Sequence, residues 1–256
     1  MLNTFAANQP VLFAICLTLI GFVLLLFISG IAYTKLHQPY ADIAMTLMRL
    51  SVTAALLFLA WRMGWLEGTG ITRLGSWQVW LLAIGGLLYF TCAALYAFYG
   101  KLTFDIASFA HLPAARAIFY KQLVAVVYEE IRFRGVVLYV LIRAWSGTRS
   151  GIIGSVLLAA VLFALPHIVG IFIGLSRRAA LILVLETCII AVWWGALVVW
   201  GGSVWPAVLL HLIPNVVVEV QGLSTPMVTP DTLAYRRILW FSIPLGLLGI
   251  GLLMRV

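Results

Sequence analysis

The stretch Tyr128-Glu129-Glu130-Ile131-Arg132-Phe133-Arg134-Gly135 places two carboxylates and two guanidiniums inside a strongly apolar run. Residues 123–127 before it and residues 136–142 after it are almost all aliphatic. Each ionised residue near the middle of a membrane helix costs roughly 2.5–3.5 kcal/mol. We therefore expect these charged side chains to face partners or a water-filled cavity, and the rest of the chain to be organised around them.

The two adjacent acids are predicted to have different tasks. On an α-helix, Glu130 and Arg134 are i,i+4 neighbours on one face and can neutralise each other. Glu129 points about 100° away from Glu130, because one turn takes 3.6 residues, so the ion pair does not occupy it. The spacing favours Glu130 with Arg134 as a supporting pair and Glu129 as a general base. Arg132 is interpreted as an interfacial or structural partner and not as a catalytic residue.

The composition identifies the class of protein. Hydrophobic residues make up 64% of the chain, charged residues 9%, and the mean hydropathy is +1.13, whereas a soluble domain carries about 25% charged residues. The sequence therefore predicts an all-α, polytopic integral membrane protein with a single transmembrane domain over residues 1–256. The net charge of +8 comes mostly from basic residues that flank apolar runs. This placement indicates anchoring at the lipid bilayer and not nucleic-acid binding.

About eight apolar runs are long enough to form transmembrane helices around a polar intramembrane cavity. The predicted spans are residues 11–33, 43–65, 77–99, 115–144, 152–173, 179–200, 204–220 and 238–253. Lys and Arg in alternate loops indicate the orientation, and the larger group is predicted to be cytoplasmic. That group is Lys35, Lys101, Arg116, Lys121, Arg177, Arg178, Arg236 and Arg237, against Arg62, Arg73, Arg143, Arg149 and Arg255 on the other side.

Two later spans carry polar residues at membrane depth. Phe163 lies one turn before His167, and Pro166 is expected to free a backbone carbonyl beside that histidine. His211 and Asn215 are i,i+4 neighbours and project together. A carboxylate and an imidazole can jointly take a proton from water. A second imidazole and a carboxamide can donate to the oxyanion that forms when the water attacks a carbonyl.

The two remaining acids in the spans have a plainer interpretation. Glu186 is the one acid in its helix, and Glu219 continues the face of Asn215 one turn later. We interpret both as structural or cavity-facing. A single membrane histidine is often a helix–helix hydrogen-bonding residue. A site is therefore predicted from the polar residues on three spans taken together, and not from any one histidine.

The spacing of these residues resembles the CPBP family of intramembrane proteases. The chain contains EExxxR at Glu129, Glu130 and Arg134, FxxxH at Phe163 and His167, and HxxxN at His211 and Asn215. Their order and their distribution of one motif per helix are similar to that family, which includes CAAX prenyl endopeptidases and bacterial bacteriocin-processing and immunity relatives. The catalytic core implied by the motifs covers residues 115–220.

The resemblance also implies a role for each motif residue. Glu129 would activate water with His167 as its partner, Glu130 and Arg134 would be the supporting pair, and His211 and Asn215 would stabilise the oxyanion. The implied fold has about eight helices around a cavity that opens toward the cytoplasmic half. We expect a multi-pass protein of a prokaryotic plasma (inner) membrane.

The cofactor is left open by the sequence. The family is often labelled a metalloprotease, and Glu129, His167 and His211 form a two-histidine, one-carboxylate set of zinc type. However, no HExxH motif is present, and Asn215 is a poor zinc ligand but a good amide donor. The pattern favours metal-free chemistry, with Zn as the alternative.

The leading hypothesis is an intramembrane endopeptidase that cleaves a membrane-associated peptide or protein, of CAAX type or leader type. One alternative is a catalytically idle membrane scaffold of the same fold. Another is a proton-relay or transport protein, because intramembrane Glu, His and Arg also mark ion paths. Haem ligation by His167 and His211 is disfavoured by the acids beside them. The sequence indicates neither the substrate nor the oligomeric state.

Overall fold

The computed structural model describes residues 2–38, 40–173, 175–229, 232–233 and 236–255. These residues form helices and no β-strand, which confirms the predicted all-α class. The α-helices are α1 (Leu2–Asn8), α2 (Pro10–Lys35), α3 (Tyr40–Arg62), α4 (Trp77–Tyr99), α5 (Leu112–Glu130), α6 (Leu138–Trp145), α7 (Arg149–Ala164), α8 (Arg177–Gly201), α9 (Trp205–Gln221) and α10 (Ile243–Leu253). Short 3₁₀-helices cover Ile106–His111 and Leu165–Ile173, and π-helices cover Ile131–Val137 and Arg237–Ser242.

Five helical segments of the described chain are long and apolar enough to cross a membrane. They are α2, α3, α4, α8 and Arg149–Phe172, which joins α7 to the 3₁₀-helix after it. Two shorter apolar segments, Trp205–Gln221 and Arg237–Leu253, follow in the last part of the chain. A multi-pass membrane protein is therefore confirmed, whereas the number of eight spans stays a prediction.

Local sequence signals set several helix ends. Pro10 occupies the first turn of α2, where a missing N–H costs nothing. The Thr148 hydroxyl accepts the Gly151 N–H at 3.0 Å and begins α7. Gly100 and Gly202 end α4 and α8 with φ of 70° and 64°, in the left-handed region that favours glycine.

The central helix changes its winding at the charged stretch. The sequence predicts a continuous α-helix over residues 115–144, but the structure has a π-helix at Ile131–Val137 between α5 and α6. Gly135 lies in this segment, and its low helix propensity makes a departure from α-helical winding cheap. A Cβ added at Gly135 would meet Ile71 Cδ1 at 3.2 Å. π-Turns of this kind are frequent at functional sites.

The predicted fifth span is also divided in two. Pro166 has no N–H and cannot continue an α-helix, and α7 ends at Ala164 before a tighter 3₁₀-helix over Leu165–Ile173. His167 therefore lies in the 3₁₀-helix, one turn beyond Phe163. This change of winding sets the direction of the His167 ring.

Arg132 joins the central helix to α2. Its side chain is 4% exposed and donates to the Tyr128 hydroxyl at 2.7 Å, to the Leu17 carbonyl at 2.9 Å and to the Thr18 carbonyl. A Cβ added at Gly21 would lie 2.5 Å from Arg132 Cζ. The glycine thus leaves room for the guanidinium, and Arg132 is a structural partner as predicted from its position.

The loop between α3 and α4 packs against the turn between α8 and α9. The Gly70 carbonyl accepts the Val204 N–H at 3.3 Å, and the Arg73 carbonyl accepts the Ser203 hydroxyl at 2.7 Å. The Ile71 carbonyl accepts the Trp205 indole N–H at 2.9 Å. The first turn of α9 is therefore held by the backbone of residues 70–73.

The main apolar core lies around α8 and α9. Helix α8 packs along α7 and α10, and α9 packs along α4 and α5. The largest buried cluster includes Trp193, Leu197 and Leu210. This packing leaves a cavity on the side of α9 that faces α4, α5 and α8.

Candidate active site

A cavity of about 360 Å³ lies between these helices, and three of the four predicted catalytic residues line it. His167, His211 and Asn215 line it together with Gln122 and Trp194. Its other lining residues are Phe90, Ala94, Phe98, Phe163, Leu183, Glu186, Thr187, Ile190, Pro214, Val218, Glu219, Met227 and Arg237. The cavity is therefore mostly apolar, with polar groups contributed by several different helices.

Glu130 is the fully buried acid of the central stretch. Its Oε1 accepts from Arg134 Nη1 at 3.2 Å and from His211 Nδ1 at 2.8 Å. The ion pair with Arg134 has the i,i+4 spacing read from the sequence, whereas the contact with His211 was not predicted. Because an ionised carboxylate only accepts hydrogen bonds, Nδ1 of His211 carries the hydrogen. Glu130 therefore fixes the orientation of an imidazole on α9.

Glu129 reaches the other nitrogen of the same ring. Its Oε2 lies 3.8 Å from His211 Nε2, and its side chain is 31% exposed. Glu129 does not itself line the cavity. His211 thus stands between the two adjacent acids, with Nδ1 held by Glu130 and Nε2 facing Glu129. Nε2 is the ring atom left for chemistry.

His167 is oriented by its own backbone. Its Nδ1 lies 3.2 Å from the Ala164 carbonyl, which can only accept, so Nε2 is again the nitrogen left for chemistry. Phe163 contacts the rings of both His167 and His211, and Glu129 Oε2 lies 3.8 Å from His211 Nε2. The two imidazoles and the acid are therefore neighbours, although Glu129 makes no direct hydrogen bond to His167.

Asn215 projects from α9 into the cavity one turn after His211. Its Nδ2 donates to Gln122 Oε1 on α5 at 3.4 Å. Gln122 was not singled out by the sequence, although it lies seven residues before Glu129 and so on the same side of the helix. That spacing is a signal that could have identified it.

Aromatic rings enclose the charged pair and the histidines. Trp194 of α8 stacks on His211 with ring centroids 4.5 Å apart and an interplanar angle of 23°. Arg134 Cζ lies 4.0 Å from the Phe163 ring centroid and 5.0 Å from that of Trp194. The Phe163 ring also contacts both imidazoles edge-on, with centroid distances of 5.5 Å to His167 and 6.0 Å to His211. Trp194 was missed because one more tryptophan in an apolar helix carries no distinguishing signal.

The acid Glu186 lies on another side of the cavity. It is 1% exposed and forms an ion pair with Arg237, whose Cζ lies 4.7 Å from the Phe98 ring centroid. Both members of the pair line the cavity. Glu186 is thus cavity-facing and paired with a cation.

The arrangement does not fit a zinc site. The sequence names Glu129, His167 and His211 as the ligands if zinc is present, and zinc takes nitrogen and oxygen ligands at about 2.0–2.2 Å. The part of the chain that the structure describes includes all three residues and contains no group of three His, Cys, Asp or Glu that could hold a metal ion.

The fold and the site define a multi-pass helical membrane protein whose cavity combines two imidazoles and a carboxamide with a carboxylate beside them. Residues 111–217 match the family model described as type II CAAX prenyl endopeptidase Rce1-like. This match covers less than half of the chain and includes every residue of the EExxxR, FxxxH and HxxxN motifs. It confirms the resemblance to CPBP intramembrane proteases. No curated protein and no solved structure matches the chain significantly.

Proposed function

We propose that this protein is an intramembrane endopeptidase that hydrolyses a peptide bond of a membrane-associated protein or peptide. One observation carries the proposal. His211 lines the same cavity as His167 and Asn215, and its two ring nitrogens face the two adjacent acids behind it, Glu130 at 2.8 Å and Glu129 at 3.8 Å. The family match over residues 111–217 supports a protease in general.

In the proposed reaction, Glu129 takes a proton from a water molecule with His167 as its partner. The water oxygen bonds to the carbonyl carbon of the peptide, and the electron pair of the C=O bond moves to the carbonyl oxygen. When the C=O bond re-forms, the C–N bond breaks and the proton passes to the leaving amine. Glu129 faces His211, and Phe163 contacts both His211 and His167, which supports this pairing.

His211 and Asn215 are proposed to stabilise the oxyanion. Asn215 offers a carboxamide N–H, and His211 offers Nε2 once that nitrogen carries a proton. Because Glu130 holds Nδ1, the direction of Nε2 is fixed before the substrate arrives. Loss of one such donor typically lowers turnover by about 10²–10³-fold. Glu130 and Arg134 take no direct part in this reaction, and their role is to orient His211 and to hold the helices in place.

For the substrate we propose a CAAX-type prenylated tail or a leader-type peptide. The cavity wall is largely apolar, with Leu183, Ile190 and Val218 among its residues, which suits a hydrophobic segment. We place the protein in a prokaryotic plasma membrane with the cavity opening toward the cytoplasmic half. The family match supports the CAAX-type substrate, and the distribution of Lys and Arg supports the orientation.

The test uses the purified protein and two internally quenched peptides, one with a prenylated cysteine in a CAAX tail and one with an unmodified leader sequence. We expect wild type to cleave at least one peptide and Glu129→Gln to cleave neither. Glu67→Gln is the matched control, because it removes an exposed carboxylate paired with Arg73. Mass spectrometry of the products locates the bond. Absence of cleavage by wild type would favour the idle scaffold, and cleavage by Glu129→Gln at the wild-type rate would contradict its role.

The same preparation tests the metal-free chemistry. We expect cleavage to continue in excess chelator and zinc to be present at well below one ion per chain. If zinc is stoichiometric and is lost and regained together with activity, the metal-free proposal is wrong, while the peptidase assignment stands.

The proton-relay alternative has one supporting observation. Glu186 and Glu219 line the same cavity as the histidines. Each is paired with a cation, Arg237 and Lys121 respectively, which is less suited to repeated proton uptake than an unpaired acid. Proton flux into protein-containing liposomes that is lost in Glu186→Gln but kept in Glu129→Gln would favour transport over hydrolysis.

A further inference from the structure

We infer that Gln122 and Glu219 are positioning residues that fix the direction of the Asn215 carboxamide. The inference rests on the proposed function, because it assigns Asn215 a donor role. It adds two residues on α5 and α9 that the three motifs do not contain. Both residues line the same cavity as Asn215.

Four side chains form a continuous polar chain from the surface to the cavity. Lys121 Nζ lies 2.9 Å from Glu219 Oε2. Glu219 Oε1 accepts from Gln122 Nε2, and Gln122 Oε1 accepts from Asn215 Nδ2 at 3.4 Å. The outer pair is partly exposed, with Lys121 at 40% and Glu219 at 33%.

The charge of Glu219 sets the direction of every bond in this chain. An ionised carboxylate has no hydrogen to donate, so the NH₂ group of Gln122 must face it. The Gln122 carbonyl then faces Asn215, and Asn215 must present its NH₂ group. One N–H of Asn215 is bound to Gln122, and the second N–H remains for an oxyanion. Without the acid, each amide could flip by 180° and present an acceptor instead.

The polar chain is not needed to hold the two helices together. Next to it, α5 and α9 are joined by the buried cluster of Val126, Val208 and Leu212. Helix α9 is also held by α4 and by the backbone of residues 70–73. We therefore assign the polar chain a task other than packing, which is to fix the hydrogen-bonding direction of the Asn215 carboxamide. The 3.4 Å bond is long, as catalytic hydrogen bonds often are before substrate binds.

Asparagine labelling gives a readout that needs no substrate. Besides Asn215, the sequence has asparagines only at Asn3 and Asn8, which are exposed and serve as internal standards. In protein labelled with ¹⁵N-asparagine, we expect one Asn215 side-chain N–H to exchange with solvent at least about 10-fold more slowly than those of Asn3 and Asn8. Asn215→Ala identifies the signal by its loss.

Two variants test the polar chain by the same measurement. Gln122→Met keeps the size of the side chain but removes both amide groups, so the slow exchange of Asn215 should be lost. Glu219→Gln keeps the shape and removes the charge that sets the bond direction, so exchange should accelerate to a smaller extent. Glu67→Gln should leave the Asn215 signal unchanged. If Gln122→Met fails to fold, the exchange rate measured in Glu219→Gln decides the test. An Asn215 side-chain exchange rate as slow as in wild type in the folded variants would overturn the inference.

Peptide cleavage separates this inference from the proposed function. Misplacing a catalytic group by about 1 Å can cost 10²-fold, so kcat of Gln122→Met should fall on the order of 10²-fold with KM little changed. The double variant with Asn215→Ala should be no slower than Asn215→Ala alone. Full activity of Asn215→Ala would refute the donor role itself. Loss in Asn215→Ala with full activity in both Gln122→Met and Glu219→Gln would refute only the positioning role.

Discussion

At the residue scale, two neighbouring glutamates have opposite surroundings. Glu130 is fully buried and accepts from both Arg134 and His211. Glu129 is about one-third exposed and has a single contact with an imidazole nitrogen at 3.8 Å. Because Glu130 is buried away from solvent, whereas Glu129 is partly exposed, Glu129 is the acid that we propose takes a proton from water.

This difference predicts opposite outcomes for two substitutions. Arg134→Ala leaves Glu130 without its cation, and breaking a buried pair from one side costs roughly 3–5 kcal/mol. Folded protein in the membrane should therefore fall sharply, as measured by fluorescence-detected size exclusion and thermal melting. Glu129→Gln should keep wild-type abundance and lose cleavage.

Arg143→Ala is the control for the loss of an arginine, because Arg143 is exposed on α6 and its Cζ lies 5.8 Å from the Trp65 ring centroid. It should be tolerated. If Glu129→Gln fails to accumulate and Arg134→Ala is stable, the two acids have been assigned in the wrong order.

At the element scale, the buried Arg132 side chain ties the first long helix, α2, to the central helix. Arg132 donates to two consecutive backbone carbonyls of α2, at Leu17 and Thr18. Such carbonyls already accept helical hydrogen bonds, and their second lone pair takes the guanidinium. The contact requires a close approach at Gly21, and α2 and the π-helix would separate if a side chain stood there.

Gly21→Ala is therefore expected to destabilise the protein, by about 1–3 kcal/mol as for an overpacked core. The reason is that the added Cβ would lie 2.5 Å from Arg132 Cζ and would displace the guanidinium from its carbonyl partners. Gly30→Ala in the same helix is the matched control, because a Cβ there meets nothing within 4 Å. Thermal melting in detergent measures both. Equal melting temperatures for the two variants would contradict the close packing of α2 on Arg132.

The sequence could predict which side chains share a helix face, but it could not predict every contact between helices that forms the site. Helical spacing alone pairs Glu130 with Arg134, and the observed ion pair has that spacing. The contact of Glu130 with His211 depends on how α5 packs on α9, which no local pattern specifies. The π-helix contains Gly135, a weak helix former that lies against Ile71 of a neighbouring loop. Trp194 lies in an apolar run in which nothing distinguishes it from other tryptophans. Local periodicity thus places side chains on faces, and tertiary packing decides which faces meet.

At the scale of the whole molecule, the distribution of basic residues predicts the orientation in the membrane. Loops on the side of Lys101 should face the cytoplasm, and loops on the side of Arg143 and Arg149 should face outward. The test needs a background in which Cys16, Cys92 and Cys188 are replaced. Thr103→Cys and Ser146→Cys then place single thiols at exposed positions in the two kinds of loop.

A membrane-impermeant maleimide should label Ser146→Cys in intact cells and Thr103→Cys only after permeabilisation. Labelling of Thr103→Cys alone from outside would reverse the orientation and place the cavity mouth in the opposite leaflet. Labelling of both positions from outside would contradict the predicted number of spans between them.

The backbone of residues 70–73 that holds the start of α9 limits how the protein could be recombined with relatives. The segment that matches the family, residues 111–217, carries every motif side chain. However, the turn before α9 and its first residue, Trp205, are hydrogen-bonded to the backbone of residues 70–73, which lie outside this segment. A chimaera that joined this segment to the part of another protein that corresponds to α1–α4 would inherit a foreign loop at that turn. His211 and Asn215 lie two to three turns along the same helix, so a shifted loop would misalign them without altering any motif residue. Grafted segments should therefore regain activity only when the 63–76 loop is transferred with them.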